Sequence, residues 1–133
     1  MAKTLGGLMA QQIRRSGWPK MEAIVPVPLH RSRLSERGYD QALLLAQVVA
    51  AELRLPLKKA LQRKSATPSQ TKLVARERWE NVSQAFELVA GVPLPARVLL
   101  VDDLLTTGAT AHFAAQTLLD GGAKEVYLAV VGR

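Results

Sequence analysis

Val98-Leu-Leu-Val-Asp-Asp-Leu-Leu-Thr-Thr-Gly-Ala-Thr110 is the stretch around which this 133-residue chain is organised. From Arg97 to Val101 the chain is continuously apolar after its first residue, as a strand buried on both faces of a parallel sheet must be. Asp102 to Thr107 reads as a loop leaving the carboxyl end of that strand. Gly108 to about Leu119 has the composition of a helix, stopped by Asp120-Gly-Gly122. Glu125 to Val131 is a second apolar strand. Strand, loop, helix and strand in this order have the length of a βαβ crossover, so the expected class is α/β.

In open α/β sheets ligands bind beyond the carboxyl ends of the strands, where Asp102, Asp103, Leu105, Thr106, Thr107, Gly108, Ala109 and Thr110 fall. A helix N-terminus offers unpaired N–H groups and the positive end of the helix dipole, which suit a phosphate. Gly108 lets backbone approach an anion without a Cβ in the way. Thr106, Thr107 and Thr110 add hydroxyl donors. Two adjacent carboxylates would repel a phosphate at contact distance. They suit sugar hydroxyls, which donate hydrogen bonds to them, or a metal ion. A single Asp here would read best as a cap. The pair, followed by Thr-Thr-Gly-Ala-Thr at a helix start, describes a ribose 5-phosphate site. No Gly-Lys-Ser/Thr follows, so this is not a Walker A loop, and the dinucleotide pattern Gly-x-Gly-x-x-Gly is missing.

Working back toward the amino terminus, residues 85–89 read as a strand followed by a turn at Gly91-Val-Pro93. A polar helix is expected near 70–80, a loop at 65–69 and a short strand at 60–64. Pro56 ends a helix over about 41–54, which Asp40 is placed to cap. Residues 31–38 read as a charged loop. Residues 22–27 form a short buried strand that closes in Pro26-Val-Pro-Leu-His30, where two prolines forbid a regular continuation. Residues 3–15 read as a helix with Leu5, Leu8, Met9 and Ile13 on one face, ended by Gly17 and Pro19. Nothing divides the chain, so 1–133 is expected to be one domain.

Composition narrows the function further. There are no cysteines, which excludes disulfides, thiolate catalysis and a cysteine-based zinc site. His30 and His112 alone match no recognised metal-ligand spacing. No apolar run approaches the ~20 residues of a membrane span, and no secretory leader is visible, so a cytoplasmic protein with no membrane contact is expected. The net charge is +7 and uneven: residues 30–78 hold eleven Lys/Arg against four Asp/Glu, and residues 79–133 hold three against six. Such a basic middle attracts phosphates, whether of a nucleic acid or a small molecule. It lacks the interleaved aromatics of a single-strand stacking platform.

The stretch 98–110 resembles the motif with which type I phosphoribosyltransferases bind phosphoribosyl pyrophosphate (PRPP). Val25-Pro-Val-Pro-Leu-His30, followed by Arg31, Arg33 and Arg37-Gly-Tyr-Asp-Gln41, resembles the ComF-type branch of that fold. So does the third stretch: Arg63-Lys64, Thr67, Gln70, Arg76, Arg78, Asn81 and Phe86. The likeness spans residues 3 to 133. It lacks the branch's N-terminal four-cysteine zinc module and a segment that would form part of the hood above the site.

The resemblance implies a type I phosphoribosyltransferase-like fold, a central, mostly parallel sheet flanked by helices, with the N-terminal hood portion missing. It implies ribose binding by Asp102 and Asp103, and 5-phosphate binding by Leu105, Thr106, Thr107, Gly108, Ala109 and Thr110. It assigns pyrophosphate to Leu29, His30, Arg31, Arg33 and Arg37, where arginine forks suit phosphate oxygens. A mobile loop bearing Lys72, Arg76 and Arg78 would close over the leaving group. Mg²⁺ would accompany PRPP, with no metal held directly by the protein, and homodimers are common in the fold. The implied reaction transfers ribose 5-phosphate to an unidentified acceptor with release of pyrophosphate. The other expectation is a PRPP-binding accessory protein of DNA uptake that does not turn over and that meets nucleic acid or a competence-machinery protein.

Overall fold

The structure is a computed structural model and describes residues 2–28, 40–64, 86–104 and 109–132. Helix α1 (Ala2–Arg15) leads to strand β1 (Ala23–Pro26), helix α2 (Gln41–Leu53) and strand β2 (Leu61–Arg63). Strands β3 (Phe86–Leu88) and β4 (Arg97–Leu104), helix α3 (Ala109–Asp120) and strand β5 (Glu125–Gly132) follow.

Three strands form a parallel sheet in the order β1-β4-β5, and β2 and β3 form a separate antiparallel pair. Strand β4 lies in the middle, which explains its uninterrupted apolar run. Val98, Leu99, Leu100 and Val101 are all fully buried. Their side chains alternate between faces. Leu99 and Val101 pack with Met9, Ile24, Leu45 and Val49 from the α1/α2 side. Val98 and Leu100 pack with Leu61, Phe86, Phe113 and Leu118 from the β2–β3/α3 side. The class expected from the β4–α3–β5 pattern is the one observed.

Pro26 is placed where a proline costs least. Val27 N–H donates to the Val101 carbonyl (2.9 Å), so alternate residues of β1 turn their N–H groups toward β4. The intervening Ile24 N–H donates the other way, to Pro56 (2.9 Å), and Pro26 shares that side. Its missing donor therefore leaves the β1–β4 ladder intact.

Helix α2 begins at Asp40, whose carboxylate accepts a hydrogen bond from Leu43 N–H (3.1 Å), as the sequence predicts. It ends at Arg54, a left-handed residue (φ 56°) whose N–H is received by the Ala50 and Ala51 carbonyls. Helix α3 ends differently, with Gly122 at φ 117° and Ala123 N–H returning to Leu118 O (3.1 Å).

Helix α1 packs closely on α2, because a Cβ at Gly6 would lie 2.6 Å from Val48 Cβ and Cγ1. Leu5, Leu8, Met9 and Ile13 share one face of α1, as the sequence predicts, and line a groove of about 480 Å³ between α1 and β5 with Trp18, Leu128 and Val131. Along that face Met9 is buried while Leu8 is 55% exposed. No helix among the described residues is long and apolar enough to cross a membrane.

Candidate functional site

Strand β4 runs three residues further than its apolar stretch suggests. Asp102 and Asp103, expected in a loop, belong to the strand, with Asp102 opposite Val130 and Leu104 opposite Gly132 of β5. The polar side chains hide the continuation, but the β5 ladder carries the backbone onward. Helix α3 is described from Ala109, the expected start at Gly108 lying outside the described residues. Thr110 is half-buried in its first turn. The two carboxylates thus end the central strand, and the chain re-enters as a helix N-terminus after four residues. That places acceptors for hydroxyl groups and donors for an anion on one edge of the sheet.

The two carboxylates are not equivalent. Asp102 is only 9% exposed. Asp103 N–H donates to Asp102 Oδ1 (2.8 Å). Burial pushes the Asp102 carboxyl up from its usual 3.8 to about 7. A hydrogen bond with the Asp103 side chain and the Asp103 charge push the same way, while the Asp103 backbone N–H and the Arg63 charge oppose them. With its carboxyl raised to about 7, Asp102 can accept from a hydroxyl when ionised and donate to one when protonated.

Arg63 was not singled out by the sequence, beyond its place in the third stretch. It ends β2, in register with Phe86 at the start of β3. Its Nε donates to the Pro28 carbonyl (3.0 Å), and its guanidinium lies 4.7 Å from the centre of the Phe86 ring. A three-residue strand carries no periodicity from which such a cross-strand partner is legible.

Leu105, Thr106, Thr107 and Gly108 lie outside the described residues, as do Leu29, His30, Arg31, Arg33 and Arg37, and Lys72, Arg76 and Arg78. The polar helix expected near 70–80 lies outside them too. Ala109 is placed as the first residue of α3. His112 is exposed on α3, edge-on to Phe113 at 5.0 Å, and takes no part in this edge.

A parallel sheet whose central strand ends in paired carboxylates, with a helix starting a few residues on, is the arrangement expected of the phosphoribosyltransferase fold. The comparisons agree. The family described as phosphoribosyl transferase domain matches residues 39–133. Competence protein F of Haemophilus influenzae is 41% identical over 108 residues, 79% of this chain and 47% of that protein. The DNA utilization protein YhgH of Escherichia coli is 38% identical over 115 residues, 85% of this chain and 50% of its own. Competence protein ComFC of Bacillus subtilis is 35% identical over 99 residues, 74% of this chain and 39% of its own. Among solved structures, the glutamine PRPP amidotransferase of B. subtilis superposes with a TM-score of 0.68 at 22% identity, covering 98% of this chain and 26% of that one. That likeness concerns the fold alone.

The chain belongs to the phosphoribosyl transferase domain family, in its ComF competence-protein branch. It spans about half the length of the curated relatives it matches.

Proposed function

We propose that this chain binds PRPP at the carboxyl edge of its sheet and transfers ribose 5-phosphate to a nucleophilic acceptor. The observation that carries this reading is the buried Asp102 beside Asp103, near the end of β4 and ahead of the α3 N-terminus. Asp102 and Asp103 would accept hydrogen bonds from the two ribose hydroxyls. Residues 105–110 would hold the 5-phosphate. Leu29, His30, Arg31, Arg33 and Arg37 would take the pyrophosphate, assisted by Lys72, Arg76 and Arg78.

In the reaction the bond from ribose C1 to the pyrophosphate oxygen breaks with both electrons leaving on pyrophosphate. A new bond forms from C1 to the acceptor, which gives up a proton. Positive charge develops on the ribose ring, where carboxylates placed in advance stabilise it. A Mg²⁺ carried on PRPP's own oxygens would supply charge neutralisation to the leaving group.

Calorimetric titration with PRPP and Mg²⁺ tests the reading. Saturable binding by the wild type, lost in Asp102→Ala/Asp103→Ala, is expected. No binding by a folded wild type would overturn it. Release of pyrophosphate on addition of candidate amines, nucleobases or water then separates a transferase from a binding protein.

The second reading is an accessory protein of DNA uptake, favoured by the basic 30–78 stretch and by the competence and DNA-utilization names of the relatives. It expects DNA binding that weakens steeply with salt, and no turnover.

A further inference from the structure

We propose that β5 is the seam of a symmetric dimer, pairing antiparallel with β5 of a second copy of this chain so that the two three-stranded sheets become one. Strand β5 is the outer strand of the order β1-β4-β5, and no other described segment pairs with it. It runs for eight residues, longer than the usual ~5–6, with no proline and no charge after Glu125. Edges are normally blunted by charge, proline or a covering element, because their free N–H and C=O groups recruit another strand.

Alternation along the ladder fixes which of these groups are free. Glu125 N–H donates to the Ala96 carbonyl (2.9 Å), while the Arg97 and Val101 carbonyls accept from Glu22 and Val27 on the β1 side. Val98, Leu100 and Asp102 therefore turn their backbone toward β5, and Glu125, Tyr127, Ala129 and Val131 turn theirs toward β4. Val126, Leu128, Val130 and Gly132 turn theirs outward.

One antiparallel register uses all four outward residues of both copies. Val126 faces the partner's Gly132, Leu128 faces the partner's Val130, and Ala129 lies on the twofold axis. Each such outward pair exchanges two hydrogen bonds. The intervening positions make the closer, non-hydrogen-bonded contacts. Tyr127 meets the partner's Val131 there, an aromatic ring on a β-branched side chain, which is a favoured cross-strand pair. At the axis a small buried residue meets its own copy. The strand is thus complementary to itself, which is what an interface built from one surface patch on both subunits requires.

The surface beside the strand fits the same occupant. Helix α1 packs on α2 and touches β5 beyond it, leaving the groove of about 480 Å³ between itself and the edge strand. Leu8, Trp18 and Val131, half of the large apolar side chains exposed among the described residues, line that groove. Exposed apolar groups gathered in one place mark an interaction surface. A twofold axis perpendicular to the sheet keeps both α1 helices on one face, so the two grooves adjoin across the seam.

The proposal is independent of the PRPP reading and is tested without ligand. Sedimentation equilibrium of the wild type is expected to show a reversible dimer at micromolar loading. Val131→Lys puts a charge on the exposed flank of the edge, and Val130→Pro removes an outward donor, as Pro26 does on β1, and sets a ring in the seam. Each is expected to raise the dimer dissociation constant at least about tenfold. Thermal melting checks folding, and Val131→Lys decides alone if Val130→Pro does not fold. A wild type that is monomeric at every concentration would leave the edge to a strand of another protein. A dimer that neither variant weakens would lie on another face. Either result overturns the proposal.

The chain has no cysteine, so introduced thiols report the register. A mixture of Tyr127→Cys and Val131→Cys is expected to oxidise to a cross-linked pair. Val131→Cys alone is expected to stay uncross-linked, because its two copies would stand four residues, roughly 13 Å, apart along the seam. Preferential cross-linking of Val131→Cys to itself would overturn the register and the proposal with it.

Discussion

At the scale of single residues, Asp102 carries the most information. Its folded pKa of about 7 exceeds its ordinary 3.8, so the native state binds the proton more tightly than the unfolded chain. The contribution of Asp102 to stability is therefore fully present below about pH 4, is lost as pH rises from 4 to 7, and is level above that. Asp102→Asn keeps the shape and removes the charge. It is expected to stabilise the protein at pH 8 by on the order of 2–4 kcal/mol and to flatten the decline between pH 4 and 7. Urea unfolding at several pH values measures both. The same residue should lose its function in that variant, which is the usual exchange between stability and a strained site. If the ribose hydroxyls donate to the Asp102 carboxylate, PRPP affinity rises as pH passes 7, and binding at pH 7 releases a proton. Calorimetry in buffers of different ionisation heat detects that proton, and Asp102→Asn should abolish its contribution.

At the scale of elements, two helix features give opposite predictions. Arg54 is an exposed residue in the left-handed region at the end of α2. Arg54→Gly should stabilise by roughly 1 kcal/mol, visible as a higher melting temperature, because glycine adopts that conformation without a Cβ penalty. Gly6 stands at the α1–α2 contact, where a Cβ would press on Val48. Gly6→Ala should destabilise by about 1–3 kcal/mol. Gly6→Ala/Val48→Ala should recover part of that loss, because the obstructing methyls are gone. Equal stability of single and double variants would show that the helices simply move apart.

Across the whole molecule, β4 is the element on which both faces close. Leu99, fully buried between β4 and the α1/α2 layer, is expected to cost about 3 kcal/mol when cut to alanine, a large share of the stability of a domain of this size. Hydrogen exchange should find the Val98–Val101 amides of β4 the slowest in the chain, since that stretch is paired with β1 on one side and β5 on the other. Rapid exchange at β4 with slow exchange in α2 would place the folding core elsewhere.

The local features of this protein were already determined by its sequence. The apolar run 98–101 demanded burial on both faces, Asp40 and Gly122 marked helix ends, and Asp102 and Asp103 fell at the carboxyl end of the strand which that run defines. These follow from short-range rules of periodicity, capping and charge, which neighbouring residues satisfy by themselves. Four things only the tertiary structure decided. Strand β4 continues through its aspartates because β5 supplies a ladder there. Leu8 stays exposed while Met9 is buried, though both line the groove between α1 and β5. Asp102 holds its proton to about pH 7 because the packed sheet edge removes its water. Arg63 reaches Pro28 and Phe86 across 35 and 23 positions of chain. Desolvation and long-range contact arise only when distant segments are brought together, and no local pattern in the chain encodes them.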